Sequence, residues 1–239
     1  MNLEFLYGLG FRILKLGFSR AMVRLVLLLA LILGLTLSWS LEAKTEMKPS
    51  LAILPFFIER GEDPGRGAIC PICKRVYSRG EILPGSKNTL TRLLQQKMEA
   101  IGTFKVLPIE KMEEALSHWD KKQFEEKLIP SSIQLGKELN ADFIIVGFLF
   151  RFEERIGSPI GAEKPASVGF DIHLFRLRDG IEVWRGRFDE TQRPLSENLF
   201  KIGSFFRRKA SWLTAEELAS VGVDEMLKRL PAPQELEEK

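Results

Sequence analysis

Asp142-Phe-Ile-Ile-Val-Gly-Phe-Leu-Phe150 is the stretch that decides the fold. It is an almost uninterrupted apolar run, rich in β-branched and aromatic side chains and too short for a typical helix. It predicts a strand at the centre of a sheet covered on at least one face. Upstream, Ser131 to Asn140 has helical spacing and ends near Asn140. Before it, Ile109, Met112, Leu116 and Trp119 suggest another helix opening after Pro108. Phe104-Lys-Val-Leu107 reads as a short strand. Leu90, Leu93, Leu94, Met98 and Ile101 recur on one helical face, with Gly102 placed as the C-terminal cap. Leu51-Ala-Ile-Leu-Pro-Phe-Phe57 begins the fold as a buried strand.

Downstream of the central strand, a loop around Gly157 to Gly161 leads to two strand-like segments, 168–178 and 181–188, flanking Asp179-Gly180. That pair favours a two-residue type I′ hairpin, because both central positions need positive φ. The register would set Phe175 opposite Trp184, a cross-strand pair worth roughly 0.2 to 1 kcal/mol. The last third is expected to be helical: Leu195 to Lys209 after Pro194, then a helix opened by Thr214 and Glu217 as a capping box, with Ala219, Val223, Met226, Leu227 and Leu230 on one side.

This order of elements predicts an α/β fold, a mixed β-sheet flanked by helices. The expected boundaries are a leader at 1–43, a linker at 44–50, a single α/β domain at 51–231 with an insertion at 58–85, and a loose acidic tail at 232–239. The chain of 239 residues is 45% hydrophobic and 28% charged, with two cysteines, so it is not disordered, disulfide-rich or a polytopic membrane protein. Of the formal charge of +3, the leader accounts for +2 through Arg12, Lys15, Arg20 and Arg24 against Glu4 and Glu42. The nearly neutral remainder gives no nucleic-acid footprint.

The leader carries seventeen uncharged residues, Leu25 to Leu41, after Arg20 and Arg24, with Ala43 available for cleavage. That is the pattern of an export signal. The run also reaches the lower limit of a membrane span, so an uncleaved inner-membrane anchor, giving membrane contact through the N-terminal segment, is the second reading. Met22 would start a more compact signal than Met1, whereas Leu6, Leu9, Ile13, Leu14 and Leu16 suit an interfacial amphipathic helix. No cysteine stands near the junction, which argues against lipid attachment there.

Cys70-Pro-Ile-Cys73 is the motif with chemical specificity, and three readings of it stand. In an oxidising compartment the pair closes a small disulfide ring. Alternatively it is a zinc knuckle, completed by a second subunit or by His118 or His173, since zinc needs four ligands. The third reading is a thioredoxin-like redox site, although the sequence after Cys73 is not a convincing long helix. Both histidines otherwise read as ordinary packed or exposed side chains. There is no His-Glu-x-x-His helix, Gly-x-Ser-x-Gly elbow or phosphate-cradling loop. Glu113 with Glu114, and Glu216 with Glu217, are expected to face water.

Leu199, Phe200, Ile202, Phe205 and Phe206 run into Arg207-Arg208-Lys209. Phe200, Phe205, Phe206, Arg207 and Arg208 are therefore candidates for a partner or membrane interface. Alternatively the aromatics cover the sheet while the cations stabilise a helix C-terminus.

Leu51-Ala-Ile-Leu-Pro-Phe56, Phe104-Lys-Val-Leu107, Leu135-Gly-Lys-Glu-Leu-Asn-Ala-Asp-Phe-Ile-Ile-Val-Gly147 and the closing Gly180-Ile-Glu-Val-Trp184 together resemble the bacterial envelope proteins grouped around CsgG, LpoB and the TolB amino-terminal domain. Phe188-Asp-Glu-Thr-Gln192 and Trp212-Leu-Thr-Ala-Glu-Glu-Leu218 are similar to uncharacterised envelope lipoproteins within that group. The resemblance implies a non-enzymatic periplasmic accessory or assembly protein that binds another envelope protein or itself. The missing lipid-acceptor cysteine and the cysteine-bearing insertion depart from the group. The rival expectation is a thiol-disulfide oxidoreductase or zinc-binding protein acting through Cys70 and Cys73.

Overall fold

The computed structural model describes residues 48–61, 67–192 and 212–238. The leader and Phe200, Phe205, Phe206, Arg207 and Arg208 lie outside the described residues, as does the helix expected at 195–209.

The expected central strand is β6, Phe143–Glu153. Its side chains alternate between two buried layers: Phe143, Ile145, Leu149 and Phe152 face one way, and Ile144, Val146, Phe148 and Phe150 face the other. A strand buried on both sides needs no polar alternation, which is why it reads as a continuous apolar run. On one flank β6 pairs in parallel with β1 (Ser50–Ile53), which pairs in parallel with the short β5 (Lys105–Val106). On the other flank it pairs antiparallel with β9 (Ser167–Arg176), and β9 pairs antiparallel with β10 (Ile181–Thr191). The sheet is therefore mixed, in the order β10-β9-β6-β1-β5, as the sequence predicts.

The opening strand is shorter than expected. Pro55 has no N–H for the ladder, and the Phe56 N–H donates instead to Thr91 Oγ1 at 3.1 Å. The chain rejoins β6 further along as β2, Phe57–Ile58. In the insertion, β3 (Ala68–Ile69) and β4 (Val76–Tyr77) form a small hairpin, and beyond β6 a second one joins β7 (Ile156–Ser158) to β8 (Gly161–Lys164).

Helices cover both faces. On the first, α1 (Ser86–Ile101) buries Leu90, Leu94 and Met98 and ends at Gly102, whose φ of 70° and N–H to the Met98 carbonyl make the expected left-handed cap. On the second lie α2 (Ile109–Ser117), α3 (Lys121–Glu126) and α4 (Leu128–Glu138), contributing Met112, Phe124 and Leu135. The sequence reading passed over α3, which is only six residues long and capped by the Asp120 carboxylate accepting from the Gln123 N–H. The first face is completed by α5 (Ala215–Leu227), whose Thr214 and Glu217 form the expected capping box. Among the described residues, no helix is long and apolar enough to cross a membrane.

Three local expectations are corrected. Ile181 pairs with Arg176, so the β9–β10 connection is four residues long; Gly180 alone in it has positive φ, at 74°, which is not a type I′ turn. The Asp179 carboxylate accepts from the Arg176 guanidinium and the Ile181 N–H, stabilising this wider loop. An irregularity between Glu182 and Trp184 then sets Trp184 opposite Leu174, not Phe175. Phe175 and Trp184 pack on opposite faces of the sheet. The acidic tail is not loose: α6, Pro233–Glu238, buries Leu236 completely. Its Leu236 and Glu237 carbonyls accept from Arg176 Nη1 at 2.7 and 2.9 Å.

Candidate metal centre

The cysteine insertion folds onto the second face of the sheet because its inward side chains are apolar or aromatic. Ala68, Cys70 and Tyr77 are buried, and the Tyr77 ring stacks on Phe150 with centroids 3.9 Å apart. Between β3 and β4 the chain reverses through Pro71-Ile-Cys-Lys74. The Lys74 N–H donates to the Cys70 carbonyl at 3.0 Å, Cys70 donates to the Arg75 carbonyl at 2.9 Å, and Lys74 has φ of 59°. The Cys73 N–H points at Cys70 Sγ, 3.4 Å away. This tight turn presents both sulfurs to the same side.

That side faces β9. Alternation along the strand puts Asp171 and His173, two residues apart, on one face. Cys70 Sγ lies 3.3 Å from His173 Nε2, Cys73 Sγ 3.7 Å from Asp171 Oδ2, and His173 Nε2 3.5 Å from Asp171 Oδ1. One donor atom from each of Cys70, Cys73, Asp171 and His173 falls within 4.8 Å of all the others. Cys70 and His173 are fully buried and Asp171 is 1% exposed.

Further groups orient this cluster. The Tyr77 hydroxyl donates to Asp171 Oδ2 at 2.9 Å, and Glu182 Oε1 lies 2.7 Å from His173 Nδ1. With a carboxylate as partner, Nδ1 carries a proton, which in the neutral ring leaves the Nε2 lone pair facing the cysteines. Asp171 Oδ1 is buried without a hydrogen-bond partner. A carboxylate oxygen in that position is costly unless something else satisfies it.

Electrostatics bear on the two thiol readings. Burial, reinforced by the Asp171 carboxylate, pushes the Cys70 thiol well above its ordinary range. The same two causes push the Tyr77 phenol up. Burial pulls His173 down, but Asp171 and Glu182 outweigh it and hold the imidazole above its usual value. An exchange catalyst needs the opposite, an accessible thiol with a lowered pKa at a helix start. Cys70 is inaccessible on a hairpin turn, so the arrangement does not suit the thioredoxin-like reading. In this structure both cysteines are free thiols.

Beside the cluster, a cavity of about 460 Å³ is bordered by Cys73, Asp171 and His173 at one end and by Arg75, Arg185, Arg187 and Arg229 elsewhere. Arg187 stands opposite Asp171, and Arg185 opposite His173, across the β9–β10 ladder. Arg185 also pairs with Glu182 at 2.7 Å. Trp184 and Met226 supply an apolar wall where the cavity rounds β10. β10 closes the sheet order, and among the described residues no strand pairs with its outer edge.

Of the residues singled out in the sequence, Cys70, Cys73 and His173 are brought together, while His118 sits apart at the end of α2. Glu113, Glu114, Glu216 and Glu217 are exposed, as expected. Asp171, Glu182, Tyr77 and the arginines were missed. The usable signal was Asp171-Ile-His173, polar residues alternating within an otherwise apolar strand.

No protein-family model matches the chain, and no curated protein matches it. Among solved structures it is similar to the PelC dodecamer from Paraburkholderia phytofirmans, with 11% identity, 79% of this chain and 90% of that one covered, and a TM-score of 0.44. It is also similar to the LpoB C-terminal domain from Salmonella enterica, with 11% identity, 65% and 92% covered, and a TM-score of 0.39. For lipoprotein GNA1162 from Neisseria meningitidis the identity is 14%, the coverage 68% and 98%, and the TM-score 0.40.

Proposed function

We propose that the chain is a non-enzymatic accessory protein of the bacterial cell envelope, exported to the periplasm, that docks an acidic segment of another envelope protein along β10. The observation that carries this reading is the arginine-rimmed cavity. Arg75, Arg187 and Arg229 are exposed and line this cavity. Converging guanidinium groups favour carboxylates, which they engage through paired N–H donors. Trp184 and Met226 give the same segment an apolar contact, and the outer edge of β10, unpaired among the described residues, offers backbone donors and acceptors to an extended chain. The leader supports export, since its basic start and uncharged run match a signal sequence or an N-terminal anchor.

The test is site-specific photocrosslinking in intact cells, with the crosslinker placed at Arg187 or, as a control, at the exposed Glu114 on α2. An adduct with another envelope protein from position 187 but not 114, weakened by Arg229→Glu, is expected. An adduct only with a second copy would replace the proposal with self-assembly. No position-specific adduct, or a chain found solely in the cytosol, would overturn it.

A further inference from the structure

We infer that Cys70, Cys73, Asp171 and His173 form a four-coordinate site for a divalent ion of the zinc class, which staples the cysteine hairpin to β9. This goes beyond the docking reading and does not depend on it. A tetrahedral zinc ion with bonds of about 2.0 to 2.3 Å separates its ligand atoms by roughly 3.3 to 3.8 Å. Cys70 Sγ to His173 Nε2 at 3.3 Å and His173 Nε2 to Asp171 Oδ1 at 3.5 Å lie in that range, and one donor atom from each of the four residues falls within 4.8 Å of all the others.

The donor set selects the ion. Two sulfurs and an imidazole suit zinc, whereas calcium and magnesium require shells of oxygen. On binding, each thiol transfers its proton to solvent as the sulfur–metal bond forms, and the carboxylate and imidazole donate lone pairs with no change in oxidation state.

Asp171 Oδ1 is buried and unpartnered, while its sister oxygen is fixed by the Tyr77 hydroxyl. A cation between Oδ1 and the sulfurs satisfies it. Glu182 against His173 Nδ1 gives the carboxylate–histidine arrangement that orients a metal-ligating ring. The turn is shaped for the same task, with the Cys73 N–H directed at Cys70 Sγ, where it steadies a thiolate. Two thiolates and a carboxylate around a doubly charged ion leave one net negative charge, and Arg185 and Arg187 stand directly across the ladder from the two β9 ligands. Four protein ligands complete a tetrahedron, so the site is structural and leaves no position for a reacting water.

The experiment measures metal in the full-length chain purified without chelators, then titrates the metal-free, reduced chain with zinc against a chromophoric chelator. One equivalent of zinc per chain is expected. Cobalt in its place should give the intense visible bands of a tetrahedral thiolate complex. Cys73→Ser is expected to weaken zinc by at least tenfold. Should that variant fail to fold, Glu182→Gln, which leaves all four ligands in place, should stay folded and weaken zinc about 10- to 100-fold. Zinc below a tenth of an equivalent after reconstitution, unchanged affinity in both variants, or a Cys70–Cys73 disulfide in the chain isolated from cells would each overturn the inference. Failure of the Arg187 crosslink would leave it untouched.

Discussion

Tyr77 donates a 2.9 Å hydrogen bond to Asp171 Oδ2, linking the cysteine hairpin to the buried face of β9. Tyr77→Phe keeps the ring stacked on Phe150 but removes that donor, leaving the buried Oδ2 only the longer Cys73 sulfur contact at 3.7 Å. Destabilisation of about 1 to 3 kcal/mol is expected in urea unfolding. Zinc affinity should fall about tenfold with it, as measured by chelator competition.

Metal removal should act locally. Beyond the metal, the hairpin is held by two backbone pairings, Ala68 with Tyr77 and Ile69 with Val76, and by the packing of Ala68, Cys70 and Tyr77. Chelation should therefore speed amide hydrogen exchange in residues 68–77 while leaving α5 protected. Uniform deprotection of both regions would show that the centre supports the whole fold.

Leu236→Ala tests the carboxyl-terminal helix. Leu236 is fully buried against the first-face core, so truncation should cost about 2 to 5 kcal/mol. A residue in a loose tail would leave the unfolding midpoint unchanged.

Gly222 marks the close approach of α5 to β10. A Cβ there would lie 2.5 Å from the Phe188 ring, near its root, where little relief is available. Gly222→Ala should destabilise by about 1 to 3 kcal/mol, seen as a lower thermal midpoint with unchanged zinc content.

The Arg176 guanidinium holds the Asp179 carboxyl down at about 2, against an ordinary value of 3.8. A lowered folded value stabilises above the ordinary one, and that stabilisation disappears as pH falls from about 4 toward 2. Asp179→Asn should remove this part of the acid destabilisation, so the stability difference between wild type and variant should shrink across that window. A constant difference between pH 6 and pH 2 would show that Asp179 contributes through geometry alone.

Short-range signals were legible in the sequence wherever one segment sets its own conformation. Gly102 caps α1, Thr214 and Glu217 cap α5, and the run through Phe143 to Phe150 forms the central strand. Errors arose where a distant group intervened. Pro55 splits the opening strand because Thr91, on a helix, takes the Phe56 N–H. The Asp179-Gly180 turn widens because Arg176 and Ile181 capture the Asp179 carboxylate. The tail folds because Leu236 finds the core and Arg176 holds its carbonyls.

The candidate site divides in the same way. Spacing alone keeps Cys70 and Cys73 close, since only Pro71 and Ile72 separate them. Asp171 and His173, two residues apart in one strand, share a face by local alternation, although only His173 stood out in the sequence. That the two pairs meet, about a hundred residues apart in sequence, was decided only by the tertiary structure. Folding the hairpin over β9 buries Tyr77 and Ala68, and this nonlocal packing, invisible to any local pattern, brings two sulfurs, an imidazole and a carboxylate to one point.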